Sequence, residues 1–168
     1  MPYATVPQPK WTELVTKNFS NRKLPVRWIV LHHTAGREAG DLSTLLGQTK
    51  RRVSADFYVT RKGKVYKLNP QLGNYYTWHA GISYHKGVVN LNRVTVGIEQ
   101  EHIPGENWPQ LQVAATAHIC AWLIERYNLK LEDGPILSHR IISFPRKTDP
   151  EGFPWKEFGR MVRETLSV

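Results

Sequence analysis

A short apolar segment, Trp28–Leu31, runs directly into two adjacent histidines, His32 and His33, and ends in a turn sequence that contains Gly36. Four consecutive apolar residues predict a central strand over Arg27–His33 that is covered on both faces. A strand that delivers an imidazole at its carboxyl end is a rigid platform for a metal ligand. Strand alternation places the two histidines on opposite faces, and it does not decide which of them is the ligand.

A late segment of the chain supplies one more imidazole and a carboxylate. His139 and Asp149 are ten residues apart, and Pro145 and Pro150 stiffen the chain around them, so both side chains can converge from a rigid loop. Two imidazoles and one carboxylate, with a fourth position left for water, form the ligand set of a catalytic zinc site. A single histidine is more commonly a hydrogen-bonded core residue, but the combination of all three favours a metal site.

Two charged residues accompany these candidate ligands. Glu99 lies on a second, otherwise apolar strand, where an ionised carboxylate needs a partner or a chemical role. A general base and a structural ion pair explain Glu99 equally well from the residues alone. Lys147 lies two residues before Asp149, where a fixed cation would stabilise an oxyanion. A lone lysine is usually a solvated charge, although the flanking prolines favour a fixed position.

The other strands and helices determine the fold class. Strands are expected over Ser54–Arg61, Lys64–Leu68 and Arg93–Glu101, with a hairpin turn at Lys62-Gly63 and an aromatic loop over Tyr75–Tyr84. Helices are expected over Asp41–Arg52, Asn107–Tyr127 and 154–166, with caps at Asp41 or Ser43 and at Asn107. This mixed order predicts an α/β fold with a central mixed β-sheet flanked by helices. Residues 27–168 form the domain, and residues 1–26 form an arm or short helix packed on it.

Composition limits the classes of partner. The chain has 168 residues, which fits one domain, and a net charge of +9, which favours polyanions. Because no nucleic-acid-binding motif accompanies the charge, we expect an anionic substrate or envelope as the partner and no nucleic acid. No apolar run approaches the roughly 18 residues of a membrane span, and we find no secretory signal in residues 1–20.

Five segments, in order, resemble the motifs of the zinc-dependent N-acetylmuramoyl-L-alanine amidases, the family shared with peptidoglycan-recognition proteins and many phage endolysins. The segments are Ile29–Gly36, Val53–Val59 with Gly63, Trp78–Gly81, Val96–Glu99, and Ser138-His139 with Arg146–Pro150. Each segment alone is a weak signal. All five in order, from about residue 27 to residue 155, make the resemblance specific.

The resemblance implies roles for particular residues. It implies a zinc ligand set of His32, His139 and Asp149, in which the first histidine of the adjacent pair is the ligand. It implies Glu99 as the base or water-orienting carboxylate and Lys147 as the residue that stabilises the oxyanion.

Two positions depart from the family pattern. Ala55 stands where some members carry a catalytic tyrosine, and this places more weight on Glu99. Tyr58 is three residues further on, and strand alternation predicts that it faces away from Ala55, so we do not expect it to replace that tyrosine. Asp56 stands where many members carry a histidine. Binding-only members lose zinc ligands, whereas this chain keeps all three.

The resemblance implies the reaction and its surroundings. The amide bond between N-acetylmuramic acid and L-alanine of the peptidoglycan stem peptide would be cleaved by zinc-activated water. Trp78 and His79 are expected to line the substrate groove, because sugars and peptides pack on aromatic faces. We expect a monomer that acts on the cell wall, released from a host cytoplasm by phage lysis or secreted by another route.

Two other functions stay open at this stage. One is a cytoplasmic amidase that recycles soluble muropeptides, which the lack of a recognisable signal permits. The other is a peptidoglycan-binding module without catalysis.

Overall fold

A computed structural model describes residues 5–167 of the chain. In chain order its strands are β1 Thr12–Glu13, β2 Phe19–Asn21, β3 Trp28–Leu31, β4 Phe57–Val59, β5 Val65–Lys67, β6 Tyr75–Thr77, β7 Tyr84–His85, β8 Val88–Val89, β9 Thr95–Gln100 and β10 Ile136–Ser138. Its helices are α1 Glu38–Leu45, α2 Gln110–Arg126, α3 His139–Ser143 and α4 Trp155–Leu166, with short 3-10 turns at Leu91–Val94 and Leu131–Asp133.

The main sheet has six strands in the order β1-β5-β4-β9-β3-β10. All neighbouring pairs are parallel except the predicted hairpin of β4 and β5, which is antiparallel. The two-stranded sheets β2-β6 and β7-β8 lie outside it. The predicted α/β fold with a central mixed sheet flanked by helices is therefore confirmed.

The sheet has one apolar face and one face that carries polar groups. Ile29 and Leu31 of β3 pack with Val96 and Ile98 of β9 against the long helices α2 and α4. Burial of a side chain as large as Leu31 stabilises a fold by about 1.5–3 kcal/mol. Alternate residues point the other way, and on that face Tyr58 pairs in register with Glu99.

The N-terminal segment is extended, and its helical alternative is wrong. β1 continues the main sheet beside β5, and β2 pairs antiparallel with β6, which lies in the segment expected to be an aromatic loop. The Trp11 ring packs against Phe57 and Trp122, with ring centroids 5.7 Å and 5.5 Å away. Residues 1–4 of the expected arm, and residue 168, lie outside the described residues.

Three local expectations differ from the structure, two of them because other side chains bind the expected capping residues. Helix α2 begins at Gln110 and not at Asn107, because the Arg61 guanidinium binds both the carbonyl and the side-chain oxygen of Asn107. Asp41 lies inside α1, where it accepts hydrogen bonds from Thr34 and Tyr58 instead of capping the helix. The segment after β10 is the short helix α3 and not a loop.

Candidate active site

Three neighbouring parallel strands bring the candidate residues to one edge of the sheet. The carboxyl ends of parallel strands meet at the same edge. His32 follows β3, Glu99 lies near the end of β9, and His139 follows β10 directly as the first residue of α3. Ser138 caps this helix by accepting a hydrogen bond from the Ile141 amide, which fixes the direction in which His139 leaves the strand.

The three predicted metal ligands converge on one point. Nδ1 of His32 lies 2.9 Å from Nδ1 of His139, and the Asp149 Oδ2 atom lies 3.1 Å from His139 Nδ1 and 3.5 Å from His32 Nδ1. Zinc bound tetrahedrally at roughly 2.0–2.1 Å places its ligand atoms about 3.3 Å apart, so the donor triangle has the dimensions of one face of such a site.

The chemistry of this donor set also fits a cation. His139 Nε2 faces the carbonyl oxygen of Ala80 at 3.2 Å and therefore carries a proton, which leaves Nδ1 as the ring nitrogen that faces Asp149. Burial and the neighbouring His139 lower the pKa of His32 to about 4, so His32 is neutral near pH 7. Two imidazole nitrogens and a carboxylate this close together favour a positive charge between them, and a divalent ion would supply it.

Glu99 is partly buried beside this triangle and does not belong to it. Its Oε2 atom has no hydrogen-bond partner within residues 5–167. Burial, together with the charges of Asp149 and Asp41, raises the pKa of Glu99 well above its ordinary value. A carboxylate with a raised pKa beside a metal site accepts protons more readily than an exposed one, which suits a general base.

Glu99, His139 and Asp149 line one cavity of ≈ 510 Å³, and the fully buried His32 lies directly behind His139 and Asp149. Volumes of this size are typical of binding sites for small substrates. Four cationic side chains line the same cavity, and they favour an anionic or carbonyl-rich ligand: Arg51, Arg52, Arg146 and Lys147. The backbone of Lys147 is held in place because its amide donates a hydrogen bond to the Ser143 carbonyl at 3.2 Å.

Trp78 and His79 occupy different depths of the site. Trp78 lines the cavity, its indole Nε1 donates to Ser20 Oγ at 2.9 Å, and the Arg52 guanidinium lies 5.2 Å from its ring centroid. His79 is 7% exposed and lies behind His32, with 2.9 Å between His79 Nδ1 and His32 Nε2. Burial holds the pKa of His79 well below its ordinary value, so the ring is neutral.

The remaining candidates lie outside the metal triangle. His33 lines the cavity, but its Nδ1 accepts a hydrogen bond from the Glu151 amide at 3.2 Å. Asp56 is fully buried beneath the sheet edge, where its side chain accepts hydrogen bonds from Asn69, Thr77 and the Gly97 amide, a structural role. Tyr58 packs in the same buried cluster as Ala55, so the expectation that it faces away from Ala55 is wrong.

Sequence reasoning missed one residue that shapes the site. Asn92 is buried, and its side-chain oxygen accepts the backbone N–H groups of both His79 and Ala80, at 3.0 Å and 2.7 Å. These bonds fix the segment that contacts both histidine ligands. Asn92 stands in a polar turn, and no sequence signal separates it from an ordinary turn residue.

The fold and the site define a class of α/β domain in which two histidines and one aspartate converge as a candidate metal site at one edge of the sheet. Residues 22–152 match the sequence profile of the N-acetylmuramoyl-L-alanine amidases, and the chain belongs to this family. Over 155 residues it is 28% identical to N-acetylmuramoyl-L-alanine amidase AmiD of Escherichia coli (strain K12), an alignment that covers 80% of the chain and 52% of AmiD. The chain thus spans about half the length of that relative.

Solved structures show the same architecture. A crystal structure of a selenomethionine derivative of AmpD superposes with a TM-score of 0.84, covering 96% of the chain and 99% of AmpD at 22% identity. The complex of AmiD from E. coli with the substrate anhydro-N-acetylmuramic acid-L-Ala-D-gamma-Glu-L-Lys gives a TM-score of 0.69 at 27% identity, covering 81% of the chain and 57% of AmiD. Within residues 5–167, no helix is both long and apolar enough to cross a membrane.

Proposed function

We propose that the chain hydrolyses the amide bond between N-acetylmuramic acid and L-alanine of the peptidoglycan stem peptide. The observation that carries this proposal is the convergence of His32 Nδ1, His139 Nδ1 and Asp149 Oδ2 at the base of a cavity that His139, Asp149 and Glu99 line. Family membership supports it, and the substrate in the AmiD complex contains the same linkage.

In this proposal His32, His139 and Asp149 hold Zn²⁺, which when bound acidifies water and polarises a carbonyl as a Lewis acid. Glu99 accepts the proton of the attacking water, as its raised pKa favours, and passes it to the departing amine nitrogen. The Lys147 ammonium stabilises the negative charge that develops on the carbonyl oxygen.

Substrate binding in this proposal uses the rim of the cavity. Trp78 offers an apolar ring face for the sugar or the peptide, and the cationic residues favour the acidic groups of the stem peptide. The sequence also suggested His79 as a substrate-binding residue. Both of its ring nitrogens are hydrogen-bonded inside the protein, to His32 and Thr95, so they do not face a substrate.

We propose intact cell wall as the target, so that the protein acts as a monomeric, bacteriolytic amidase of the endolysin type. The net charge of +9 suits an anionic envelope. Residues 27–168 would form the catalytic unit, with the preceding arm completing the site through the hydrogen bond between Ser20 and Trp78. The enzyme would reach the wall by phage lysis or another release route.

A second candidate is an amidase that recycles soluble muropeptides. The observation that favours it is the AmiD complex, whose substrate is a soluble anhydro-muropeptide. Equal amounts of linkage offered as purified sacculi and as soluble anhydro-muropeptide separate the two candidates, because a recycling enzyme prefers the soluble fragment.

Mass spectrometry of the digested peptidoglycan tests the reaction itself. We expect free stem peptides that begin with L-alanine, together with glycan strands whose lactyl carboxyls are free. New sugar reducing ends, or cuts within the stem peptide, would mean that the protein cleaves a different bond. A zinc-loaded protein that binds sacculi and releases nothing would indicate a binding module.

A further inference from the structure

A continuous hydrogen-bonded chain leads away from the metal triangle into the protein. His32 Nε2 lies 2.9 Å from His79 Nδ1, and His79 Nε2 lies 2.9 Å from the Thr95 hydroxyl. The Thr95 hydroxyl in turn lies 2.7 Å from the carbonyl oxygen of Leu91. His32 and Thr95 are completely buried, so water does not compete for any of these bonds.

The end of this chain sets the direction of every bond in it. The Leu91 carbonyl only accepts, so the Thr95 hydroxyl donates to it and accepts from His79 Nε2–H. A neutral imidazole carries a single N–H, so His79 Nδ1 is an acceptor and receives the Nε2–H of His32. The remaining nitrogen of His32, Nδ1, then keeps its lone pair and directs it at the metal triangle.

The next residue, Ala80, controls the second histidine ligand in the same way. Its carbonyl oxygen accepts the Nε2–H of His139 at 3.2 Å and a hydrogen bond from Arg146 at 3.1 Å. Asn92 holds this two-residue segment by accepting the N–H groups of His79 and Ala80. One short segment therefore orients both imidazole ligands.

Strand β9 is shaped to receive the His79 ring. A Cβ atom on Gly97 would lie 2.3 Å from His79 Cγ and 2.6 Å from His79 Nδ1, closer than carbon and nitrogen atoms approach. Thr95 lies two residues earlier on the same face of the strand, and its hydroxyl accepts the hydrogen bond from Nε2 on the far side of the ring. One face of β9 therefore has three roles in turn. Thr95 hydrogen-bonds the His79 ring, Gly97 leaves space for it, and Glu99 lines the cavity.

We propose that His79 and Thr95 are positioning residues that fix the Nε2–H tautomer of His32, while the Ala80 carbonyl fixes that of His139. Nδ1 is then the nitrogen of both rings that faces the ion, and neither ring has to turn when the ion binds. This inference rests on the proposed metal centre. Partners that orient a metal-bound histidine typically contribute 10–100-fold in metal affinity.

The tautomers are measured directly in zinc-free protein by long-range ¹H–¹⁵N correlation spectra of the imidazole rings near pH 7. We expect Nε2 of His32, His79 and His139 to carry a proton, and Nδ1 of His32 and His79 to carry none. A proton on Nδ1 of His79, or on Nδ1 of His32, would overturn the proposal. This measurement needs no metal, so it tests the tautomers independently of zinc binding. Failure of the wild-type protein to bind zinc would refute the metal centre and would leave the tautomer result standing.

Zinc affinity, measured by competition with a chromophoric chelator, tests the energetic consequence. Thr95→Val removes the acceptor of His79 Nε2–H at nearly constant volume, and Thr95→Ser retains it. We expect Thr95→Val to weaken zinc binding by about 10-fold and Thr95→Ser to stay within about twofold of wild type. Equal affinities for the two variants, with equal melting temperatures of the zinc-free forms, would overturn the proposal.

A second pair of variants separates hydrogen bonding from packing at His79. The side-chain oxygen of asparagine occupies the position of a histidine Nδ1, so His79→Asn keeps an acceptor for His32, whereas His79→Leu does not. We expect His79→Leu to weaken zinc binding by roughly 10–100-fold and His79→Asn to restore part of that loss. If both variants lose the same affinity, or if neither loses any, His79 only fills space. If His79→Leu does not fold, the Thr95 pair and the tautomer spectra still decide.

Discussion

Tyr58 of β4 and Glu99 of β9 are paired in register on the cavity side of the sheet, yet the Tyr58 hydroxyl donates to Asp41, at 2.8 Å, and not to Glu99. The adjacent carboxyl is left with an Oε2 atom that has no partner in the described part of the chain. Because the neighbouring tyrosine is committed elsewhere, Glu99 is available for proton transfer.

Glu99→Gln should lower turnover of peptidoglycan by about 10²–10⁴-fold, the usual contribution of a general base. The variant keeps the shape of the side chain, and Glu99 lies outside the donor triangle, so zinc content and the melting temperature of the zinc-loaded form should stay close to those of wild type. Kinetics and elemental analysis on one preparation check both statements. Near-full turnover would place the base elsewhere, and loss of zinc would assign Glu99 to the metal shell.

Glu99 should also give the zinc-free protein a recognisable pH dependence of stability. Its pKa is raised above the ordinary 4.5, so the folded state binds this proton more tightly than the unfolded state does. The resulting stabilisation is fully present below about pH 4.5 and is lost as the pH rises through the folded-state pKa. The free energy of unfolding of wild type and of Glu99→Gln can be measured with denaturant at several pH values. As the pH rises, the glutamine variant should become more stable relative to wild type. A pH-independent difference would argue against a buried, perturbed Glu99.

The net charge of +9 should make wall binding sensitive to salt. Charges separated by more than the Debye length, roughly 8 Å at physiological ionic strength, are largely screened. With a net charge of +9, the protein should be retained by purified sacculi at low salt and released as salt rises. Sedimentation with sacculi measures the bound fraction, and binding that is indifferent to salt would assign it to contacts in the cavity alone.

The sequence predicted the elements whose signals are local. The apolar run Trp28–Leu31 and the alternation within Thr95–Gln100 mark β3 and β9 without any knowledge of their neighbours. The helical periodicity after Pro109 likewise marks α2. Together these elements fix the α/β class and bring two of the candidate site residues, His32 and Glu99, to the same edge of the sheet.

Features that depend on tertiary partners could not be predicted in this way. The start of α2 is set by Arg61, which lies far away in sequence and occupies Asn107. The position of His79 depends on the space above Gly97, so the sequence shows only a histidine in an aromatic loop. The choice between His32 and His33 required the resemblance, since strand alternation treats them equally.

We expect amidase activity to depend on a metal centre formed by His32, His139 and Asp149. The adjacent histidines offer a matched pair of variants, because His33 lines the same cavity but is bound to the Glu151 amide and not to the triangle. Elemental analysis after dialysis measures zinc per chain and so tests whether these three residues bind the metal. We predict one zinc in wild type, close to one in His33→Ala, and little or none in His32→Ala, with amidase activity lost in parallel. Full zinc occupancy in His32→Ala would show that His32 is not a ligand of the metal.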